Sequence, residues 1–504
     1  MYPDIKSRSG GMTIIYNARI VDESADKKGA VIIEGKKIKR VLYGTFKSAE
    51  SVLKAANLCK TKNAAQTEIA GKTKNAAGIG RNSSLSKSSG MTEIDAHGLV
   101  LAPAFIDMHA HFRYPGQTQK EDLDSALKAA AAGGFGTLVL MPNTNPVVSS
   151  KDEALNVDQE AAERNMSRVF QAVSLTKRFD GATTVHLEGL DKKTTPVISE
   201  DGREVASSAV MLDAMKIAAK KKIVVSCHCE DPALAALAKT YRTRALELMA
   251  KYKIPSWGAI DKKVLAAVPK SALGQIVQNI KEANSLLELA EDAATERNIL
   301  LAQKAGCHIH LCHVSTVKSV MAARRAKAEE KNYKNGFKIT FEITPHHLAL
   351  EGTAVPKIFA FVNPPLRTAN DRAALLAALK DGTADCIATD HAPHTMEDKA
   401  AGAPGFTGLE TAYAVCNSVL CKQEKIPAQK LMALMSARPA RILGLKKGLV
   451  KEGYDADLVL LDPNKKWRVD SSCFYSKGKA TPLDGKILAG RVVATFVAGR
   501  KIFG

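Results

Sequence analysis

An α/β fold is predicted for this chain of 504 residues, with eight parallel strands closed into a (β/α)8 barrel and a small β-sandwich domain formed by both termini. Three observations predict it. From about residue 94, short apolar runs recur, each followed by polar residues and then by a stretch of helical spacing. Both ends of the chain instead carry alternating, glycine-punctuated strands. Most of the apolar runs also end on a histidine, asparagine or aspartate, at the strand end where such barrels place their chemistry.

The elements follow in order. Residues 12–44 hold "TIIYNARIVD" and "GAVIIEGKKIKRVLYG", which alternate as half-buried strands do. They form the first part of the small domain, expected over 12–104. Residues 46–92 are expected to loop out of it as a low-complexity basic insertion, densest over 52–90, where Lys, Ala, Asn, Ser and Gly dominate. The barrel is expected over 105–447. Its eight runs are "LVLAPAFIDMHAHF", "GTLVLMPNT", "SRVFQAVSL", "TPVISEDG", "KIVVSCHCED", "CHIHLCHVST", "KITFEITPHHL" and "DCIATDHAPH". Segments such as "DLDSALKAAAAGG" and "SSAVMLDAMKIAAKKK" between them have helical spacing. Residues 234–300 are mostly helical and long for a barrel connection; they read as extra helices near the mouth that carry no chemistry. Residues 448–504, with "GLVKEGYDADLVLLD" and "GRVVATFVAGRKIFG", return to the strand pattern and complete the small domain.

Composition narrows the function classes. An apolar fraction of 45% with 25% charged residues is ordinary for a globular protein. No run of about 20 apolar residues predicts a membrane span, and "MYPDIKSRSGGMTIIYNARIV" has no apolar core of a signal peptide. Nine cysteines, several in strand-like runs (Cys227, Cys229, Cys307, Cys312), fit reduced buried thiols and a cytoplasmic location. The formal charge of +20 raises nucleic acid as a partner, but much of the excess lies in 52–90, which has no aromatic residue on which a base can stack. Nucleic acid is therefore not expected, and a basic tether for RNA or an acidic partner stays as the alternative for that stretch.

His109 and His111 end the first run, Asn143 the second, Asp201 the fourth, His228 the fifth, His313 the sixth and Asp390 the eighth. A lone histidine in an apolar run, such as His313 in "LCHVST", reads as a core residue with satisfied nitrogens. A set at one end of many strands is not required by strand pairing and points to a metal site. His109 and His111, one residue apart, share a face because the side-chain period of a strand is two.

The D-x-H-x-H pattern at a strand end, two later strand-end histidines and a late aspartate together resemble the amidohydrolase superfamily. "FIDMHAHFRYPGQTQKED", "LMPNTNP", "ITPHHLAL", "FVNPPLR" and "ATDHAPHTMEDKAAGAPGFTGLET" narrow the resemblance to dihydroorotases of the bacterial type I kind, over roughly residues 94–445. That resemblance implies reversible, metal-dependent cyclisation of N-carbamoyl-L-aspartate to (S)-dihydroorotate in pyrimidine biosynthesis. It implies one or two Zn²⁺ per subunit, with His109 and His111 on the more buried metal, His228 and His313 on the second, and Asp201 bridging in place of a carbamylated lysine. Glu200 beside Asp201 points to the opposite face. Mn²⁺, Co²⁺ or Fe²⁺ can fill the same ligands. Asp390 is implied as a metal neighbour and as the acid/base. Arg113, Asn143 and His394 are implied to hold the unreactive substrate carboxylate beside His111, with Asn363 and the backbone of Gly405 and Phe406 near the ring. The family has Phe-Gly at that last pair where this chain has Gly-Phe, which weakens that one assignment. His308, His310, His346, His347 and His391 read as core or supporting histidines. A homodimer and an association with aspartate carbamoyltransferase are also implied. Two alternatives stay open: a dihydropyrimidinase, hydantoinase or allantoinase on the same fold, and a non-catalytic scaffold.

Overall fold

In a computed structural model, described for residues 11–57, 91–352 and 358–504, the middle of the chain closes into a parallel barrel. Its strands are β1 (Phe105–Ala110), β2 (Phe135–Leu140), β3 (Arg168–Gln171, running on to Val173–Ser174), β4 (Val197–Ser199), β5 (Val224–Cys227), β6 (His308–Leu311), β7 (Lys338–Ile343) and β8 (Cys386–Ile387). Each pairs in parallel with the next: Asp107 with Leu138, Leu138 with Val169, Val173 with Ile198, Val197 with Val224, Val225 with Ile309, Ile309 with Ile339 and Glu342 with Cys386. A parallel bridge between Ala110 and His391 closes the ring. Nearly every strand residue is buried, which explains why the runs read as continuously apolar.

Helices coat the barrel, and their ends follow local chemistry. Asp122 caps Leu123–Ala132 by accepting from the Ser125 N–H, and Thr368 caps Ala369–Asp381 in the same way. Gly306 and Gly382 end the helices before β6 and β8 in the left-handed region, at φ +72° and +87°. The segment after β5 holds two long helices, Pro232–Lys251 and Lys270–Ala305. They pack through Ala245 and Met249 on one and Ile276 and Ile280 on the other, and Phe361 joins that cluster.

Both termini build one eight-stranded sheet beside the barrel. Its order runs Arg500–Phe503, Ile487–Val497, Leu458–Arg468, Val100–Pro103, Met12–Val21, Asp26–Glu34 and Lys37–Tyr43, with Met91–Asp95 also pairing against Met12–Val21. Ile15, Ile20, Val31 and Ile33 from its N-terminal half share a core with Leu458, Leu460 and Phe496 from its C-terminal half.

The excursion expected over 46–92 needs correction at both margins. Residues Ala49–Ala55 form a helix capped by Ser48, and Ala49 and Val52 are fully buried with Ile14, Ala30 and Ile32. Met91–Asp95 is a strand. The lysines of this stretch masked a short apolar face at Ala49, Val52, Leu53 and Ala56. Residues 58–90 lie outside the described residues.

Candidate metal centre and substrate site

Barrel closure assembles the site. The Asp390 N–H donates to the His109 carbonyl at 3.0 Å and the His111 N–H to the His391 carbonyl at 2.8 Å, so the two histidines of β1 lie beside the aspartate after β8. Asp201, His228 and His313 reach the same point from the ends of β4, β5 and β6. Asp201 Oδ1 lies 3.4 Å from His109 Nε2, 3.1 Å from His228 Nδ1 and 3.8 Å from His313 Nε2. Asp390 Oδ1 lies 3.2 Å from His111 Nε2 and 3.7 Å from His109 Nε2. All six residues are buried. Glu200 turns away, accepting from the Thr176 N–H at 2.9 Å and from the Thr176 hydroxyl.

The backbone is strained at this point. Arg113, His313 and Asp390 sit at φ +57°, +32° and +46°, where a residue with a side chain costs roughly 1–3 kcal/mol. The neighbouring ladders hold these conformations and turn the three side chains inward from the strand ends.

The donor set fits a divalent cation. His109 Nε2 is buried with no hydrogen-bond partner among the described residues, while its Nδ1 lies 2.9 Å from Glu342 Oε1. A carboxylate on Nδ1 fixes a proton there and leaves Nε2 as the ring atom that would face a cation. His111 repeats the logic, with Nδ1 2.9 Å from Asn143 Oδ1. His109, His111 and Asp390 form one group of convergent ligand atoms, and His109, Asp201 and His313 another. Without a cation, the carboxylates compensate the imidazoles. Burial pulls His109 and His228 down, but the Asp201 charge outweighs it and holds both well above the usual imidazole range. Burial likewise raises Asp201, yet those two imidazoles keep it well below the usual carboxylate range. A bound cation takes the place of these protons.

The substrate side is cationic. Arg113 Nε donates to the Pro393 carbonyl at 3.1 Å, and its Nη2 lies 3.2 Å from His394 Nε2. Burial first, and Arg113 second, push His394 down to about 3, so its ring is neutral at pH 7. Asn143 donates to Asp201 Oδ2 at 3.2 Å and so touches both the cluster and the loops around it. Gly405 has φ +110°, and a Cβ there would stand 2.8 Å from the Ala392 Cβ and 3.4 Å from His394 Nε2. Phe406 follows, buried edge-on to His346 with ring centroids 4.9 Å apart. Asn363 is half-buried and accepts from Arg242 at 2.8 Å.

Several working residues escaped the sequence reading. Glu342 in β7 holds His109 through Oε1, accepts from the His313 N–H at 3.2 Å, and lies 2.9 Å from His310 Nε2 through Oε2. Burial works against its charge, but those histidines hold it down at about 2. Asp107 accepts from the Thr389 N–H and hydroxyl at 2.9 and 2.6 Å and ties β1 to β8. Lys399 is buried and donates to the carbonyls of Phe361, Ala403 and Gly405, anchoring the loop of the last pair. For Glu342 and Asp107 the signal was present: a carboxylate inside an apolar run. The other histidines do support work. His308 and His310 meet Thr340, His347 meets Thr344 and the Pro364 carbonyl, and His391 accepts from the Gly408 N–H. A separate cleft of about 520 Å³, lined by Glu410, Tyr413, Trp467 and Arg491 among others, lies between barrel and small sheet and includes none of these site residues.

Comparison with known proteins agrees with this geometry. Residues 100–502 match the Amidohydrolase family. The chain is 38% identical over 403 residues to a dihydroorotase of Clostridium botulinum, covering 80% of this chain and 87% of that protein. It is 36% identical to a dihydroorotase of Bacillus licheniformis, covering 83% and 91%. Among solved structures, an L-hydantoinase (dihydropyrimidinase) from Arthrobacter aurescens superposes with a TM-score of 0.72 at 21% identity, covering 97% of this chain and 96% of that one. At that identity the likeness shows the fold. The chain belongs to the amidohydrolase family, a class of metal-dependent hydrolase barrels with an added β-rich domain, and within it to the dihydroorotases.

Proposed function

We propose that this chain interconverts N-carbamoyl-L-aspartate and (S)-dihydroorotate with one or two divalent cations, zinc being the choice that best suits its His/Asp donors. His109, His111, Asp201, His228, His313 and Asp390 would hold the metal. The observation that carries the reading is that one imidazole joins two functions. His111 faces Asp390 through Nε2 and Asn143 through Nδ1, so a cation site and the group of Asn143, Arg113 and His394 share a border.

A bound cation supplies an acidified water and polarises the amide carbonyl. The chain's own residues do the rest. Asp390, ionised because His111 and the other histidines outweigh its burial, accepts the water proton and returns it to the amide nitrogen as the ring C–N bond breaks. Ring closure runs the same proton backwards. Arg113 and Asn143 donate to the carboxylate that does not react, and neutral His394 accepts from Arg113 at Nε2 and so orients that guanidinium without adding charge. The hydantoinase and dihydropyrimidinase reading lacks a use for this grip, because those substrates carry no ring carboxylate.

Metal analysis combined with hydrolysis of dihydroorotate and of dihydrouracil tests the reading. Dihydroorotate should be turned over far faster, and chelation should abolish its turnover. Faster turnover of dihydrouracil overturns the substrate assignment. Metal uptake should release protons at neutral pH, because the imidazolium–carboxylate pairs at His109 and His228 must lose theirs, and affinity should rise with pH by up to about tenfold per unit for each proton released. Titration calorimetry in two buffers of different ionisation enthalpy reads that proton count. The reading further places the protein in the cytoplasm as a homodimer that associates with aspartate carbamoyltransferase. Eight described cysteines without a disulfide support the first part, and no described helix is long and apolar enough to cross a membrane.

A further inference from the structure

The helices after β5 were expected to carry no chemistry, yet they reach the substrate side at several places. Gly258–Ala259 pairs its backbone with Ile358–Phe359, a few residues before Asn363. The Ser256 hydroxyl donates to the Ala400 carbonyl at 2.6 Å, and the Trp257 ring lies 4.4 Å from Lys399 Nζ. The deepest contact is Arg242, on the Pro232–Lys251 helix. Its Nη1 donates to Asn363 Oδ1 at 2.8 Å and its Nη2 to the Val362 carbonyl at 3.4 Å. Its guanidinium lies 5.4 Å from the Phe361 ring centroid. Among the described residues its buried Nε has no hydrogen-bond partner, and no carboxylate lies within ion-pairing distance of it.

Two features of this arrangement are unusual. An arginine whose charge is taken partly out of water normally finds a carboxylate, because an uncompensated buried charge is costly. Here burial pushes the guanidinium down to about 10, and Glu230 compensates only at a distance. The second feature is the amide. A guanidinium has donors only, so it must take the oxygen of Asn363, which commits the Asn363 NH2 group to a different acceptor. An arginine kept for packing alone would need neither the free Nε–H nor this amide.

We infer that Arg242 is a specificity-determining positioning residue: it fixes Asn363 so that its NH2 donates to a carbonyl oxygen of the substrate, and it adds a second guanidinium to that of Arg113, so the site selects anionic cyclic ureides and their open-chain diacids over neutral ring amides. The inference rests on the reading of Asn363 as a substrate neighbour given above. The long helical segment after β5 thus tunes specificity instead of decorating the mouth.

Arg242→Met and Arg242→Lys, each metal-loaded, test it through kcat and KM for dihydroorotate and for dihydrouracil, alongside Asn363→Ala and the Arg242→Met/Asn363→Ala double variant. Loss of one hydrogen bond to a charged group corresponds to about 10- to 150-fold. The KM for dihydroorotate should rise by about that factor in Arg242→Met with kcat changed far less, and preference over dihydrouracil should fall. Arg242→Lys should recover part of the loss. The double variant should lose less than the product of the two single losses, because the arginine acts in part through the asparagine. A purely structural arginine would instead lower the melting temperature and the active fraction while the surviving enzyme kept its KM. Should Arg242→Met fail to fold, Arg242→Lys and the Asn363 variant still decide: unchanged KM and unchanged preference in both overturn the inference. A wild type that hydrolyses dihydroorotate with KM within twofold of Arg242→Met overturns the inference alone. A wild type that does not hydrolyse dihydroorotate overturns the proposed function and this inference with it.

Discussion

The metal side and the substrate side of this site are built by opposite means. On the metal side, every ligand candidate sits at the end of a barrel strand, and the supports behind it are carboxylates and a threonine on neighbouring strands: Glu342 on β7, Asp107 on β1, Thr389 after β8. On the substrate side, Arg113, Asn363, His394, Gly405 and Arg242 come from loops and one helix, and backbone carbonyls and a buried lysine hold them. The first side is negative and rigidly laddered; the second is positive and assembled from segments distant in sequence. Strand ends suit a cation, because parallel pairing fixes the positions of several ligand atoms at once. Loops suit selectivity, because each can change without disturbing the ladder.

The largest effect should come from the proton carrier on the metal side. Asp390→Asn keeps an oxygen toward His111 but cannot carry the proton, so kcat should fall by about 10²–10⁴ while metal content stays near that of wild type. Retention of more than about a tenth of the wild-type kcat would move the proton carrier elsewhere. Next in size is the substrate side itself. Arg113→Met should cost about 10- to 150-fold in kcat/KM for dihydroorotate, with metal content intact. Arg113→Lys should restore only part, because an ammonium lacks the fork. An Arg113→Met enzyme with normal kinetics would erase the proposed division between the two sides.

How much of each side the sequence disclosed follows from how each is built. His109, His111, Asp201, His228, His313 and Asp390 are legible because a period of two and eight strand ends leave few places for them. The alternation of faces allows only one of Glu200 and Asp201 to reach the cluster and the family resemblance points to Asp201; the structure turns Glu200 to Thr176. Glu342 was hidden because its run, "KITFEITPHHL", invites attention to the two histidines after it. Of those two, His347 meets Thr344, while Glu342 takes His109. Arg242 was illegible for a different reason. Nothing in a helical stretch rich in Ala, Leu and basic residues says which arginine will face Asn363, since that contact joins positions 121 residues apart.

Glu342 also gives the cleanest test of the metal side alone. Glu342→Gln has the same shape, but its amide can accept at only one atom, and its NH2 must face an imidazole nitrogen. The His109 tautomer is then no longer fixed, and metal affinity should fall by about 10- to 100-fold. Activity at saturating metal should recover much of the loss, because no substrate contact has changed. A metal titration monitored by dihydroorotate hydrolysis separates the two terms. Unchanged affinity would reduce Glu342 to a packing role.

The smallest effect should come from replacing residues 58–90. Residues 58–90 are flanked by the Ala49–Ala55 helix and the Met91–Asp95 strand, and both flanks belong to the small domain. Ala56 and Met91 pack against the same cluster of Ile14, Ala30, Ile32, Ala49 and Val52, so the chain leaves and re-enters at one place. A short Gly/Ser linker can therefore join them without pulling on the sheet, and the entropy of closing a loop changes by only about 0.6 kcal/mol for each doubling of its length. With residues 58–90 replaced in this way, kcat/KM for dihydroorotate should stay within about twofold of wild type and the melting temperature should move by only a few degrees. The helix must be kept, since cutting from residue 52 would remove Val52 from the core and confuse loss of the insertion with loss of packing. A well-folded replacement that loses most of its activity would mean that this stretch reaches the barrel mouth, and the two-sided site would then have a third contributor. Unchanged catalysis with weaker retention on an RNA or polyanion column would instead assign its lysines to a tether.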